Sequence, residues 1–149
     1  MKITELKSQE IDIYKDSIVD LLHQSFTQSF PGKSINLIEL YERLEKLKEY
    51  LLADNTRFFC VIEQENIIGF IWFFIKNNET IHVNHFSIDK DYRRKGVGQR
   101  LIKSVESFAY ENQINEIELL VTISNEDAIR FYKNNDFVSE RLIMKKRLI

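Results

Sequence analysis

The sequence predicts a single α+β domain, and three observations carry the prediction. Apolar residues at helical spacing give way to aromatic and β-branched runs, and the longest stretch of these is cut twice by turn-like clusters. A strand, a loop, a helix and a strand then follow in that order, a unit that needs a crossover and hence a parallel pair. With 149 residues, 44% of them hydrophobic, one proline and no Ser/Gly-rich stretch, the chain supports one core and shows no linker, so residues 1–149 are expected to form one domain.

Lys2 to Leu6 alternates weakly and reads as a short strand. Ile11, Ile18, Leu21, Leu22 and Phe26 recur at helical spacing until Pro31-Gly32 breaks the pattern, and Leu37, Leu40, Tyr41, Leu44, Leu47 and Leu51 make a second helical stripe. Between Arg57 and Ile88, interruptions at Gln64-Glu65-Asn66 and Lys76-Asn77-Asn78-Glu79 divide the run into three antiparallel strands. After Gly98, the residues Leu101, Ile102, Val105, Phe108 and Ala109 return to helical spacing, and Ile117 to Ile123 is again strand-like. Ser124 with Asp127 forms a capping-box pattern for a helix from Asn125 to about Asn134-Asn135. The tail, Phe137 to Leu148, reads as one or two strands.

A formal net charge of −2 and a pI near 6.0 give no global positive field, so neither nucleic acid nor an anionic membrane is an expected partner. The lone Cys60 lies in the apolar run Phe58 to Ile62 and cannot form an intramolecular disulfide, which fits a reducing, cytoplasmic setting. The chain does not open on a signal-like segment, and its longest apolar run, Ile67 to Ile75, is far below spanning length. A soluble monomer or homodimer is expected.

The chemistry is concentrated at Arg93-Arg94-Lys95-Gly96-Val97-Gly98, between a strand ending at Ile88 and a helix beginning near Val97. Glycines allow close backbone approach, a helix start offers unpaired N–H groups, and three adjacent cations add charge, so the segment suits a pyrophosphate. A P-loop would need Gly-Lys-Ser/Thr, but Gly98 is followed by Gln99-Arg100. A dinucleotide fingerprint would need a small residue at Leu101. The other reading of the loop is a solvated basic turn.

Residues Phe86 to Gly98 resemble the core motif of the GNAT (GCN5-related N-acetyltransferase) family, a strand and a turn ending in Tyr-Arg followed by Arg/Gln-x-x-Gly-x-Gly/Ala. Ser124 to Tyr132 resemble that family's second motif at its usual distance from the first. The resemblance spans the last two thirds of the chain by motif, and the first third by element order alone. It implies a mixed central sheet with splayed parallel strands, helices on both faces, and acetyl-CoA between the splayed strands. Phe86, Ser87 and Ile88 would give main-chain hydrogen bonds to pantetheine and the acetyl carbonyl. The loop Arg94, Lys95, Gly96, Val97, Gly98 and Gln99 would take the pyrophosphate, with Arg93 at the first motif position. Asn125 matches the family's asparagine beside the pantetheine arm, and Tyr132 its general acid. Thiols titrate near ~8.5 and tyrosine near ~10, so a positioned Tyr132 can share a proton with a departing thiolate without losing it beforehand. The other reading of Tyr132 is packing on the sheet. Asp136-Phe137 stands where the family often has Gly-Phe.

An alkyl amine is protonated at neutral pH, so a base is needed on the acceptor side. One family position for it is occupied here by Leu120, which cannot serve. The other falls on His82 and Asn84, which share one face of a regular strand, whereas His85 faces the other way unless a bulge intervenes. His82 is the candidate base, beside the alternatives of a structural histidine or a solvent relay. No metal site is expected, because His82 and His85 diverge and no Cys or carboxylate cluster accompanies them. The resemblance therefore implies transfer of acetyl to an amine of a small molecule or peptide. A non-catalytic acyl-CoA-binding regulatory module is the alternative.

Overall fold

The computed structural model describes all residues from Met1 to Ile149. Five strands, β1 (Thr4–Glu5), β2 (Thr56–Glu63), β3 (Asn66–Lys76), β4 (Thr80–Ile88) and β5 (Glu116–Leu119), lie in sequence order in one sheet. All neighbours pair antiparallel except β4 and β5, which are parallel. The four α-helices are α1 (Lys15–Ser29), α2 (Leu37–Tyr50), α3 (Val97–Glu111) and α4 (Glu126–Asn134), with short 3-10 turns at Ser8–Tyr14 and Lys90–Tyr92. The α+β class and the crossover through α3 are as predicted.

Both hairpins form at the predicted interruptions. Gln64 and Glu65 (φ 49° and 66°) and Asn77 and Asn78 (φ 54° and 57°) take the left-handed conformation that tight hairpins require. β3 is buried almost continuously because both sheet faces are covered. On one face α1 and α2 present Ile18, Leu21, Leu22, Leu40, Leu44 and Leu47 to Phe58, Cys60, Phe70 and Trp72. On the other, Val97, Leu101, Ile102, Val105 and Ala109 of α3 pack on Phe59, Ile71, Phe73, Ile81 and Val83. Asn36 caps α2 by accepting from the Glu39 N–H at 2.8 Å.

Three local expectations are corrected. The predicted strand Ile117 to Ile123 ends at Leu119, and Leu120 and Ile123 are exposed. α4 is capped by the Asn125 side chain, which accepts from the Ala128 N–H at 3.3 Å, so the cap lies one residue beyond Ser124. The tail forms no strand. Phe137 is the last residue packed on the core, and Val138, Leu142, Ile143, Met144 and Leu148 are all exposed. A four-residue β5 offers too short a ladder to register the tail against it.

Candidate active site

The site originates where the parallel pair ends. β4 and β5 are in register from Thr80 with Glu116 to Val83 with Leu119, and then β5 stops while β4 runs on to Ile88. Main-chain groups on the β5-facing edge of residues 84–88 therefore have no strand partner, which is costly for backbone unless a ligand or water supplies one. A cavity of about 740 Å³ opens beside this edge. Its walls are residues 83–88 of β4, residues 119–122 at and beyond the end of β5, α4, the end of α1, Arg43 of α2, and Tyr92, Arg93, Arg94 and Gly98.

A bulge decides which β4 side chains reach the cavity. Trp72 of β3 pairs with His85 and Phe73 with Val83, so Asn84 is the extra residue. The shift puts His85 on the same face as His82, whose partner is Phe74. The divergence expected of a regular strand is thus overturned, although no group of three or more His, Cys, Asp or Glu side chains is placed to hold a metal ion.

The two histidines have different surroundings. His82 does not line the cavity. Its Nδ1 lies 2.6 Å from Glu118 Oε2, which also accepts from Lys76 Nζ at 3.2 Å. The His82 bond is the main cause holding the Glu118 carboxyl below its usual range, and Lys76 adds to it. His85 does line the cavity. Its ring stacks on Phe70 at 5.2 Å, and its Nε2 has neither solvent contact nor a hydrogen-bond partner. Burial, aided by the Arg43 charge, pushes its pKa down to about 4.

At the end of β4 the chain enters the basic loop. Arg94 (φ 62°) and Gly96 (φ 85°) are both left-handed, and Gly96 is the N-cap of α3. The first intrahelical bond runs from the Arg100 N–H to Gly96 O at 3.1 Å, so the amides of Val97, Gly98 and Gln99 have no acceptor within the helix. Arg93 Nε donates to Ile88 O at 3.2 Å, and Lys95 lies over the Tyr92 ring. Gly98 is closely packed: a Cβ there would stand 3.1 Å from the Phe131 ring, which would have to give way. Unpaired amides, a left-handed turn and exposed arginines beside an unpaired strand edge fit a long ligand carrying a pyrophosphate.

The predicted residues Phe86, Ser87, Ile88, Arg93, Arg94, Gly98, Asn125 and Tyr132 all line this one cavity. Lys95, Gly96, Val97 and Gln99 do not: Val97 is buried in the core beneath the loop, and the other three lie exposed beside it. The Ser87 side chain is occupied, accepting from Ser25 Oγ at 2.8 Å and donating to Leu21 O at 3.1 Å, so it pins α1 to β4. The Tyr132 ring stands among Phe86, Phe131 and Phe137, and burial raises its hydroxyl to about 12. Sequence reasoning passed over Arg43 and set His85 aside. A bulge leaves no periodic signal, and Arg43 lies on a helix read only for its apolar stripe.

A sheet splayed at its single parallel pair, with a helix start of unpaired amides at one end and a half-buried tyrosine in the wall, is the architecture of an acyltransferase domain. The Acetyltransferase (GNAT) family model matches residues 16–137, and the chain belongs to that family. Acetyltransferase PseH of Campylobacter jejuni (strain 81-176) is 32% identical over 136 residues, covering 90% of this chain and 80% of that protein. An N-alpha-acetyltransferase of Saccharolobus solfataricus is 29% identical, covering 86% of this chain and 77% of its own. The solved structure of AAC(6')-Iy with the bisubstrate analog CoA-S-monomethyl-acetylneamine shares the fold, with a TM-score of 0.69 at 17% identity over 99% of this chain and 98% of that one. No helix is long and apolar enough to cross a membrane.

Proposed function

We propose that this acetyltransferase moves acetyl from acetyl-CoA to a primary amine by direct attack, in the cavity between the parted ends of β4 and β5. The observation that carries the reading is the continuity of that cavity. It joins the unpaired edge of residues 84–88 to the Arg93, Arg94 and Gly98 segment, with Asn125 and Tyr132 in the facing wall. Acetyl-CoA supplies an activated acyl group on a good leaving thiol.

The chain's own residues do the rest. Main-chain N–H groups on the free β4 edge stabilise charge developing on a carbonyl oxygen, and the α3 amides with Arg93 and Arg94 hold the pyrophosphate. Asn125, fixed as the α4 cap, borders the arm between them. With its hydroxyl near 12 and a thiol near ~8.5, Tyr132 donates a hydrogen bond to the departing thiolate and keeps its proton.

We assign the amine's proton acceptor to His85 in place of His82, because the His85 ring lines the cavity while His82 lies outside it, tied to Glu118. With a pKa near 4, His85 is neutral in the free enzyme at working pH, so its Nδ1, the ring nitrogen that is not sealed off, accepts a hydrogen bond from the neutral amine and passes the proton to solvent. A thiol-release assay with acetyl-CoA and a panel of amines tests the function. Acetyl-CoA at 100 times its Kd should also stabilise the fold by about 2.7 kcal/mol. No thermal response at millimolar acetyl-CoA would overturn the proposal.

A further inference from the structure

The acceptor half of the cavity carries a charge pattern that the acetyl-transfer reading does not use. Asp127 is the sole acidic residue in the cavity wall, and it is tied to Arg130 at 3.0 Å. Arg43 lines the cavity where α2 faces the bulged strand. Its guanidinium lies 5.6 Å from the centre of the Phe26 ring, itself a wall residue, and pairs with no carboxylate. Glu39, one turn earlier on α2, is engaged with Asn36.

Arg43 is a separate feature from the pyrophosphate loop. His85, which feels the Arg43 charge, lies three residues before the end of β4, about 10 Å along the strand from Ile88. The Arg43 side chain therefore flanks the amine end of the cavity, in whose wall the His85 ring also lies. A planar guanidinium held over an aromatic ring, with its N–H donors unspent, is suited to forked recognition of an oxyanion.

We propose that the acceptor is an anionic amine, a molecule whose primary amine meets His85 and whose carboxylate or phosphate meets Arg43. The inference rests on the acetyl-transfer reading and names the substrate class of that same site. Polycationic acceptors are disfavoured by the same geometry: a second ammonium would meet Arg43, with no free carboxylate in the wall to offset it. The aminoglycoside-derived ligand of AAC(6')-Iy is thus a poor guide to the acceptor here, and that protein is like this one in fold alone.

The test compares matched amines with acetyl-CoA in the thiol-release assay: 2-aminoethyl phosphate against ethanolamine, γ-aminobutyrate against its amide, and spermidine. The anionic member of a pair should be preferred by roughly 10- to 100-fold in kcat/KM, the worth of a charge-assisted contact. Which pair shows the larger ratio separates phosphate from carboxylate. Arg43→Glu should erase the preference by raising KM for the anionic amine with little change in kcat, while Arg43→Lys should restore part of it. Arg43 is exposed, so its variants should fold, and an unchanged acetyl-CoA-induced rise in Tm confirms this. Preference for spermidine, equal rates within each pair, no transfer to either anionic amine, or an Arg43→Glu variant that keeps the preference would each overturn the inference. If acetyl-CoA also left Tm unmoved in the wild type, the acetyl-transfer reading would fall with it.

Discussion

Replacing His85 with a residue that cannot titrate should change how the fold responds to acid. In the folded chain the imidazole is held near 4 by burial and by the Arg43 charge, against about 6.5 in an unfolded chain. Its folded pKa is depressed, so above about 6.5 both states are neutral and the histidine has no pH-dependent effect. Between 6.5 and 4 the unfolded chain takes up a proton that the folded one refuses, and stability falls as pH falls. A gap of that width corresponds to a loss of up to about 3 kcal/mol once pH reaches 4. Urea unfolding of wild type and His85→Gln should be followed from pH 7.5 to 4. Carboxylates that titrate over the same range act in both proteins, so the difference between the two curves isolates His85. It should be flat above about 6.5 and should move in favour of the variant below that. A difference that does not change with pH would show that His85 is freely protonated in the fold, and its neutral role in the cavity would be wrong.

Other substitutions separate the remaining roles. Tyr132→Phe should lower kcat by roughly 10- to 100-fold, the worth of one hydrogen bond to a thiolate, with acetyl-CoA affinity nearly intact by titration; unchanged turnover with chemistry rate-limiting would remove its role. His85→Ala should lower kcat/KM by something like ~100-fold, whereas His82→Ala should keep it within a few-fold and act on stability instead; the reverse result would return the base to His82. Gly69→Ala would place a Cβ 2.9 Å from both Ile88 and Val97, so a loss of about 1–3 kcal/mol is expected. Because those two residues flank the basic loop, acetyl-CoA should also bind less tightly to that variant, which calorimetry can measure.

Much of the fold was legible because it depends on local rules. The clusters around Gln64 and Asn77 marked both hairpins, and each places left-handed residues at its turn. The stripe from Leu37 to Leu47 marked α2, and the spacing from Leu101 to Ala109 marked α3. The loop from Arg93 to Gly98 could be read as an anion site because its glycines and the helix start lie within a few residues of one another.

What the sequence by itself determined was the order of elements, the parallel crossover, the basic loop at the start of α3, and the family motifs that contain Asn125 and Tyr132. Only the tertiary structure decided which histidine faces the cavity, where β5 stops, that the tail stays off the sheet, and that Arg43 stands unpaired in the cavity wall. Side chains on a strand alternate with a period of two, so the single extra residue at Asn84 reverses the facing of His85 relative to His82. Helical spacing places Arg43 on the turn, but its exposure to the cavity depends on how α2 docks beside α1 and on the absence of a free carboxylate within reach. These are properties of distant segments brought together, and no local pattern encodes them.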